Sequence, residues 1–228
     1  NLTFGAKGTR PTVESRLQLI TDAIRPDAAV DALVTKWTTT AFDAFRRDGF
    51  TPERAVVTLT EPLDGREAVV RNREGALTQI IANAMRREAG ADVGIFNGGS
   101  VRIDDVLLPG PITEYDIIRI LPFGGKVVKA TFDGAFLAKV LDQGLGNQGV
   151  GGFLHTSDGT TRTSAGWLIN GQPLDPARRY TVGTSDFLLT GGEINLGYLT
   201  RTNPAVHDTQ DLRDVRMAVI DELKRRYQ

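Results

Sequence analysis

An α+β domain, with a mixed β-sheet packed against helices, is predicted by three features of the chain. Apolar residues recur at three- and four-residue spacing in three separate stretches, the period of amphipathic helices. Short apolar runs bounded by glycine, proline or asparagine lie between them and read as strands. Helices and strands intermix without a regular strand–helix–strand repeat, and Asn170-Gly171 marks a hairpin, which favours a mixed sheet over a purely parallel one.

Residues 1–27 hold a Gly/Thr/Pro stretch, the apolar patch Leu17-Gln18-Leu19-Ile20 and then Arg25-Pro26-Asp27, read as a loop, a strand and a connector. From Ala28 to Arg47 the positions Val30, Leu33, Val34, Trp37, Ala41, Ala44 and Phe45 form one apolar stripe, so a long helix is expected, ending near Gly49. A strand follows at Ala55 to Leu59. Leu77, Ile80, Ile81, Ala84 and Met85 define a second helix from about Glu74 to Glu88, with Gly90 beyond its end. Asp92 to Phe96 reads as a strand leading into Gly98-Gly99. Thr113-Glu114-Tyr115-Asp116 has the form of a capping box, with Asp in place of Glu, and opens a short helix. Lys126 to Phe132 reads as a strand, Asp133 as the cap of a helix from Gly134 to Asp142, and residues 144–152 as a glycine-rich loop. Tyr180 to Thr184 is another strand. Leu212, Val215, Val219, Ile220 and Leu223 give a closing helix from about Leu212 to Arg226.

Bulk composition narrows the function classes. With 228 residues, 40% hydrophobic and 24% charged, the chain can bury a sizeable core. A net charge of −1 provides no global field for nucleic acid or an acidic membrane, and no apolar run approaches the length of a membrane span. The absence of cysteine excludes disulfides, thiolate catalysis and cysteine-bound zinc, and it suits either the cytosol or export. Two histidines, His155 and His207, lie far apart in sequence, so no metal-ligand cluster is visible. The chain opens on Asn1 with no methionine and no signal-like segment, from which an upstream partner domain is expected.

Four short pieces could carry chemistry. They are Arg71-Asn72-Arg73-Glu74, Asn97-Gly98-Gly99-Ser100-Val101-Arg102, Leu121-Pro122-Phe123-Gly124-Gly125, and Ser185-Asp186-Phe187 running on to Gly191-Gly192-Glu193. Glycines after a strand let backbone approach an anion, and arginine supplies a planar fork of donors that matches phosphate. Each piece also has a plain reading. Asn-Gly-Gly is an ordinary turn, arginines beside a helix start pair with a neighbour such as Glu74, and a Phe between proline and glycine is a core plug. Together the set suits a nucleotide: arginines on the phosphate, two rings on the base, and a carboxylate such as Glu193 on ribose hydroxyls.

With these four motifs in this order, the sequence resembles the C-terminal, substrate-binding domain of the 5′-nucleotidases over roughly residues 60–228. The resemblance implies phosphate contacts from Arg71 and Arg102, base or sugar contact from Asn97, a base sandwich of Phe123 and Phe187, and ribose binding by Glu193. Close backbone approach is expected at Gly98, Gly99, Gly125 and Gly192. The chain departs from the family pattern after the paired glycines, where Glu193-Ile194-Asn195 stands in place of Asp-Gly-aromatic.

The organisation so implied is a connector over residues 1–27, an interdomain helix and linker over 28–57, and the substrate-binding domain over 58–228. In that family an N-terminal metallophosphatase domain performs the hydrolysis with two divalent metal ions. Its Asp-x-His, Gly-Asn-His-Glu and Gly-His-x-His signatures are absent from these 228 residues. The chain is therefore expected to contribute no catalytic or metal-binding residue, and to be inactive alone. Its expected partners are a nucleotide or related phosphoester and the metallophosphatase domain of the same polypeptide, with a periplasmic or cell-surface location. The alternatives are the same scaffold in a hydrolase for a cyclic nucleotide or nucleotide sugar, and a non-catalytic binding module.

Overall fold

In the computed structural model, which describes residues 1–228, the chain divides into two units, Asn1–Asp48 and Gly49–Gln228. In the first unit β1 (Leu2–Thr3) pairs antiparallel with β2 (Thr12–Val13), and α1 (Ala28–Arg47) follows. Asp27 caps α1, its carboxylate accepting from the N–H groups of Ala29 and Val30 at 2.9 and 3.1 Å. The helix has the expected bounds, yet no residue on it is buried, and Trp37 is 63% exposed. A hairpin of two-residue strands offers no layer within this unit to cover the stripe. The strand expected at Leu17–Ile20 does not form: the segment is irregular and exposed, because a lone apolar run has no ladder to join.

The second unit runs, in chain order, β3 (Ala55–Leu59), β4 (Leu63–Asp64), α2 (Glu67–Val70), α3 (Ala76–Ala89), β5 (Val93–Asn97), β6 (Val106–Leu107), β7 (Gly110–Thr113), α4 (Glu114–Ile120), β8 (Lys126–Asp133) and α5 (Gly134–Gly146). It continues with β9 (Leu154–Thr156), β10 (Thr160–Thr163), β11 (Gly166–Ile169), β12 (Gln172–Pro173), β13 (Arg179–Ser185), β14 (Val206–Asp214) and α6 (Val215–Tyr227). The main sheet has the order β14-β8-β13-β5-β9. Only β13 and β5 are parallel; every other pair is antiparallel, so the sheet is mixed as expected. No helix is long and apolar enough to cross a membrane.

Alternation along the strands sorts side chains onto two faces. Val93, Ile95, Val128, Ala130 and Val182 join Phe136, Leu137 and Val140 of α5 in one buried cluster. On the opposite face α3 packs over β5 and β13 and against α6. There the sheet presents Gly94 and Gly183, which are register partners. A Cβ on Gly94 would collide with the Ala82 carbonyl and lie 2.9 Å from Arg86 Cβ. One on Gly183 would collide with the Met85 carbonyl and lie 2.9 Å from Ala89 Cβ. Two missing side chains therefore let α3 rest on the backbone of the one parallel strand pair.

Turn chemistry behaves as read. Asn170 and Gly171 both have positive φ (51° and 79°), which a two-residue type I′ hairpin requires, and they join β11 to β12. Thr113 and Asp116 form the capping box of α4, with Asp116 Oδ2 accepting from Thr113 N–H at 2.8 Å.

Three further expectations need correction. The closing helix starts at Val215, because residues 206–214 form β14 at the sheet edge. That strand is mostly exposed and bonds to β8 through backbone, which needs no apolar alternation. Helix α5 runs on to Gly146, into the stretch read as loop. Asp133 precedes α5 but makes no capping bond; its Oδ1 lies 3.0 Å from both Arg179 Nε and His207 Nε2. The His207 contact, reinforced by Arg179, holds the Asp133 carboxyl below the usual carboxylate range.

Gly183→Ala should destabilise the chain by about 1–3 kcal/mol through overpacking against α3, read as a lower urea midpoint. Gly146→Ala, where a Cβ meets nothing within 4 Å, should leave that midpoint nearly unchanged.

Candidate functional site

Strand directions gather distant segments at one edge of the sheet. Because β5 and β13 are parallel neighbours, their C-terminal ends, Asn97 and Ser185, leave the sheet together. Strand β8 is antiparallel to β13, with Val127 opposite Ser185, so the Leu121–Gly125 turn before it arrives at the same edge. Strand β9 is antiparallel to β5, with Leu154 opposite Asn97, which brings in the loop at Gly151. A cavity of about 630 Å³ opens between these segments and the C-terminal end of α2.

Eight of the ten sequence-expected residues line it: Arg71, Asn97, Gly99, Arg102, Phe123, Gly125, Phe187 and Glu193. Gly98 and Gly192 do not. Phe123 and Phe187 are 71% and 43% exposed, whereas the other five phenylalanines of this unit are buried. Rings left in water at the mouth of a cavity are not core plugs. The Arg102 guanidinium lies 5.5 Å from the Phe123 ring centroid, within cation–π range, and has no carboxylate partner. Its backbone N–H is tied to Ile120 O at 2.9 Å. Arg71 ends α2 and pairs with Glu67 at 3.0 Å, one helical turn back, rather than with Glu74.

Asn97 is 1% exposed and its amide is already engaged. It donates to Glu193 Oε2 at 2.5 Å and accepts from Ser100 Oγ at 2.8 Å. Glu193 Oε1 accepts from Ile194 N–H at 2.8 Å, so two donors hold this carboxylate in place. Asn97 thus acts as a strut for Glu193, which is itself only half-buried.

The glycines serve the wall in different ways. Gly98 sits where a Cβ would collide with Val70 O and lie 3.3 Å from His155 Nε2. Its absence lets His155 Nε2 approach Val70 O at 2.7 Å, immediately before Arg71. A carbonyl only accepts, so the proton is on Nε2, and the buried Nδ1 has no partner. Burial lowers the His155 pKa from 6.5 to about 4, outweighing the Val70 hydrogen bond, which acts the other way. Gly99 crosses Gly151 with backbone contact, its N–H donating to Gly151 O at 2.8 Å. Gly125 has φ +96°, which a side chain would strain.

Several lining residues went unassigned from sequence: Phe96, Ser100, Leu121, Gly124, Gly151, Ser185 and Asp186. All but Phe96 and Gly151 lie within the four motifs, so proximity to named residues was the available signal. No group of three or more His, Asp or Glu side chains gathers anywhere in the chain.

A family model described as 5′-nucleotidase, C-terminal domain, matches residues 55–196. Protein UshA of Yersinia enterocolitica is 31% identical over 138 residues, covering 58% of this chain and 24% of that protein. The crystal structure of the 5′-nucleotidase precursor from Thermus thermophilus aligns with a TM-score of 0.70 at 25% identity, over 99% of this chain and 46% of that one. The NAD nucleotidase structure from Haemophilus influenzae aligns with a TM-score of 0.61 at 24% identity, over 88% and 39% respectively, a likeness of fold. The chain thus spans 24% of that curated relative and less than half of either solved chain.

Stability should fall as pH drops from 6.5 towards 4, because the unfolded chain then binds a proton at position 155 that the folded chain excludes. The loss is on the order of 3 kcal/mol. Urea midpoints at pH 7 and pH 4.5 should diverge more for the wild type than for His155→Gln, which keeps a donor for Val70 O and does not titrate.

Proposed function

The chain belongs to the 5′-nucleotidase C-terminal domain family, and from that premise we propose that it is the substrate-binding half of a metal-dependent nucleotide phosphohydrolase. One observation carries the reading: a single cavity joins two water-exposed phenylalanines to an arginine without a carboxylate partner. The rings clamp a base, each stack contributing about 1–3 kcal/mol in nucleic-acid systems. Arg102, with Arg71 lining the same cavity, takes the phosphate through charge-assisted hydrogen bonds. Glu193, held by Asn97 and by its own loop, accepts from ribose hydroxyls.

In this reading the residues here bind and orient, and hydrolysis is the work of a metallophosphatase domain whose two ions activate water. We place the whole protein in the periplasm or at the cell surface. The change to Glu193-Ile194-Asn195 keeps a carboxylate at the ribose position and leaves the phosphate wall untouched.

Isothermal titration should separate the roles. Phe123→Ala and Phe187→Ala should each weaken adenosine binding about tenfold. Arg102→Ala should weaken adenosine 5′-monophosphate about tenfold or more while adenosine binding stays within about twofold. Equal loss for nucleoside and nucleotide in the arginine variant contradicts the phosphate role. The purified 228-residue chain should release no phosphate from nucleotides in the presence of divalent metals, and robust release would overturn the division of labour.

A further inference from the structure

Asp186 lines the cavity and has no task in the reading above. It directly follows Ser185, the last residue of β13, and its backbone N–H donates to Lys126 O at 2.9 Å, which ties it to the start of β8. Its Oδ1 accepts from the N–H of Phe187 at 2.8 Å. The same carboxylate lies over Gly125, where a Cβ would stand 2.6 Å from Oδ1 and 3.5 Å from Oδ2. The group thus fills the space between the turn that carries Phe123 and the turn that carries Phe187. No N–H or O–H of the chain is bonded to Oδ2, and neither Arg71 nor Arg102 pairs with it.

We propose that Asp186 reads the base. Resting on the nucleotide reading of this cavity, the assignment gives Oδ2 the exocyclic amino group of a base held by the two rings. A carboxylate only accepts, so the edge it faces must donate. The 6-amino group of adenine and the 4-amino group of cytosine do so, while a carbonyl in the same place would set lone pairs against lone pairs. The site therefore favours amino-bearing bases both by the bond it offers them and by the repulsion it offers others. Asp186 is a specificity-determining residue in this scheme, distinct from the ring and arginine contacts that set affinity.

The test is isothermal titration of the 228-residue chain with adenosine 5′-monophosphate and with purine riboside 5′-monophosphate, which differ only at the 6-amino group. The wild type should prefer the amino-bearing nucleotide about tenfold. Asp186→Asn keeps an oxygen for Phe187 N–H and turns an amide NH2 towards the base, so the preference should vanish or reverse while the nearby ring stays in place. Arg102→Ala should weaken both nucleotides and leave their ratio unchanged. Equal affinity of the wild type for the two ligands, or an Asn variant that keeps the tenfold ratio, overturns the role of Asp186 and leaves the nucleotide reading standing. Failure of the wild type to bind either ligand at millimolar concentration overturns the nucleotide reading, and this assignment with it.

Discussion

Everything at the candidate site depends on how closely α3 sits on the sheet. Gly94 and Gly183 are register partners on the only parallel pair, and the backbone of α3 occupies the space where their Cβ atoms would be. A helix resting on two glycines fixes both strands relative to each other and to the helix. Their C-terminal ends are Asn97 and Ser185, the starting points of two walls of the cavity. A displacement of α3 by one methyl group would be transmitted to both walls at once, because the other face of the same strands is closed by the α5 cluster.

Strand direction then does what sequence proximity cannot. Parallel β5 and β13 send two loops out of one edge, and the antiparallel neighbours β8 and β9 deliver two more to it. The crevice beyond the carboxyl ends of parallel strands is a general position for ligands in α/β sheets. Here the principle works with a single parallel pair, because antiparallel neighbours supply the remaining walls. Polar groups around the cavity divide accordingly. Asn97, Ser100 and His155 are engaged in holding other parts of the wall, whereas Arg102 meets only Gly99 O, at 3.4 Å, and one oxygen of Asp186 has no donor from the chain.

Much of this was legible in advance, for identifiable physical reasons. Helices α1, α3 and α4 and strands β3, β5, β8 and β13 declare themselves through apolar period, caps and turn residues, which are local. The Asn170-Gly171 hairpin is equally local, since two positive φ angles demand those residues. Strand β14 was hidden because an exposed edge strand bonds through backbone that every sequence possesses. The partner of Arg71 was readable in principle, as Glu67 stands four residues back, but only once α2 is known to be a helix.

The sequence by itself determined which residue types were available to the candidate site: four motifs, two arginines, two phenylalanines beside glycines and an acid. It could do so because those choices are local, a matter of donors, rings and permitted backbone angles. Only the tertiary structure decided that they share one cavity, that Asn97 braces Glu193, and that Gly98 makes room for the Val70 carbonyl. Those outcomes depend on strand direction and register over long separations, such as the 96 residues between Asn97 and Glu193, where no local propensity reaches.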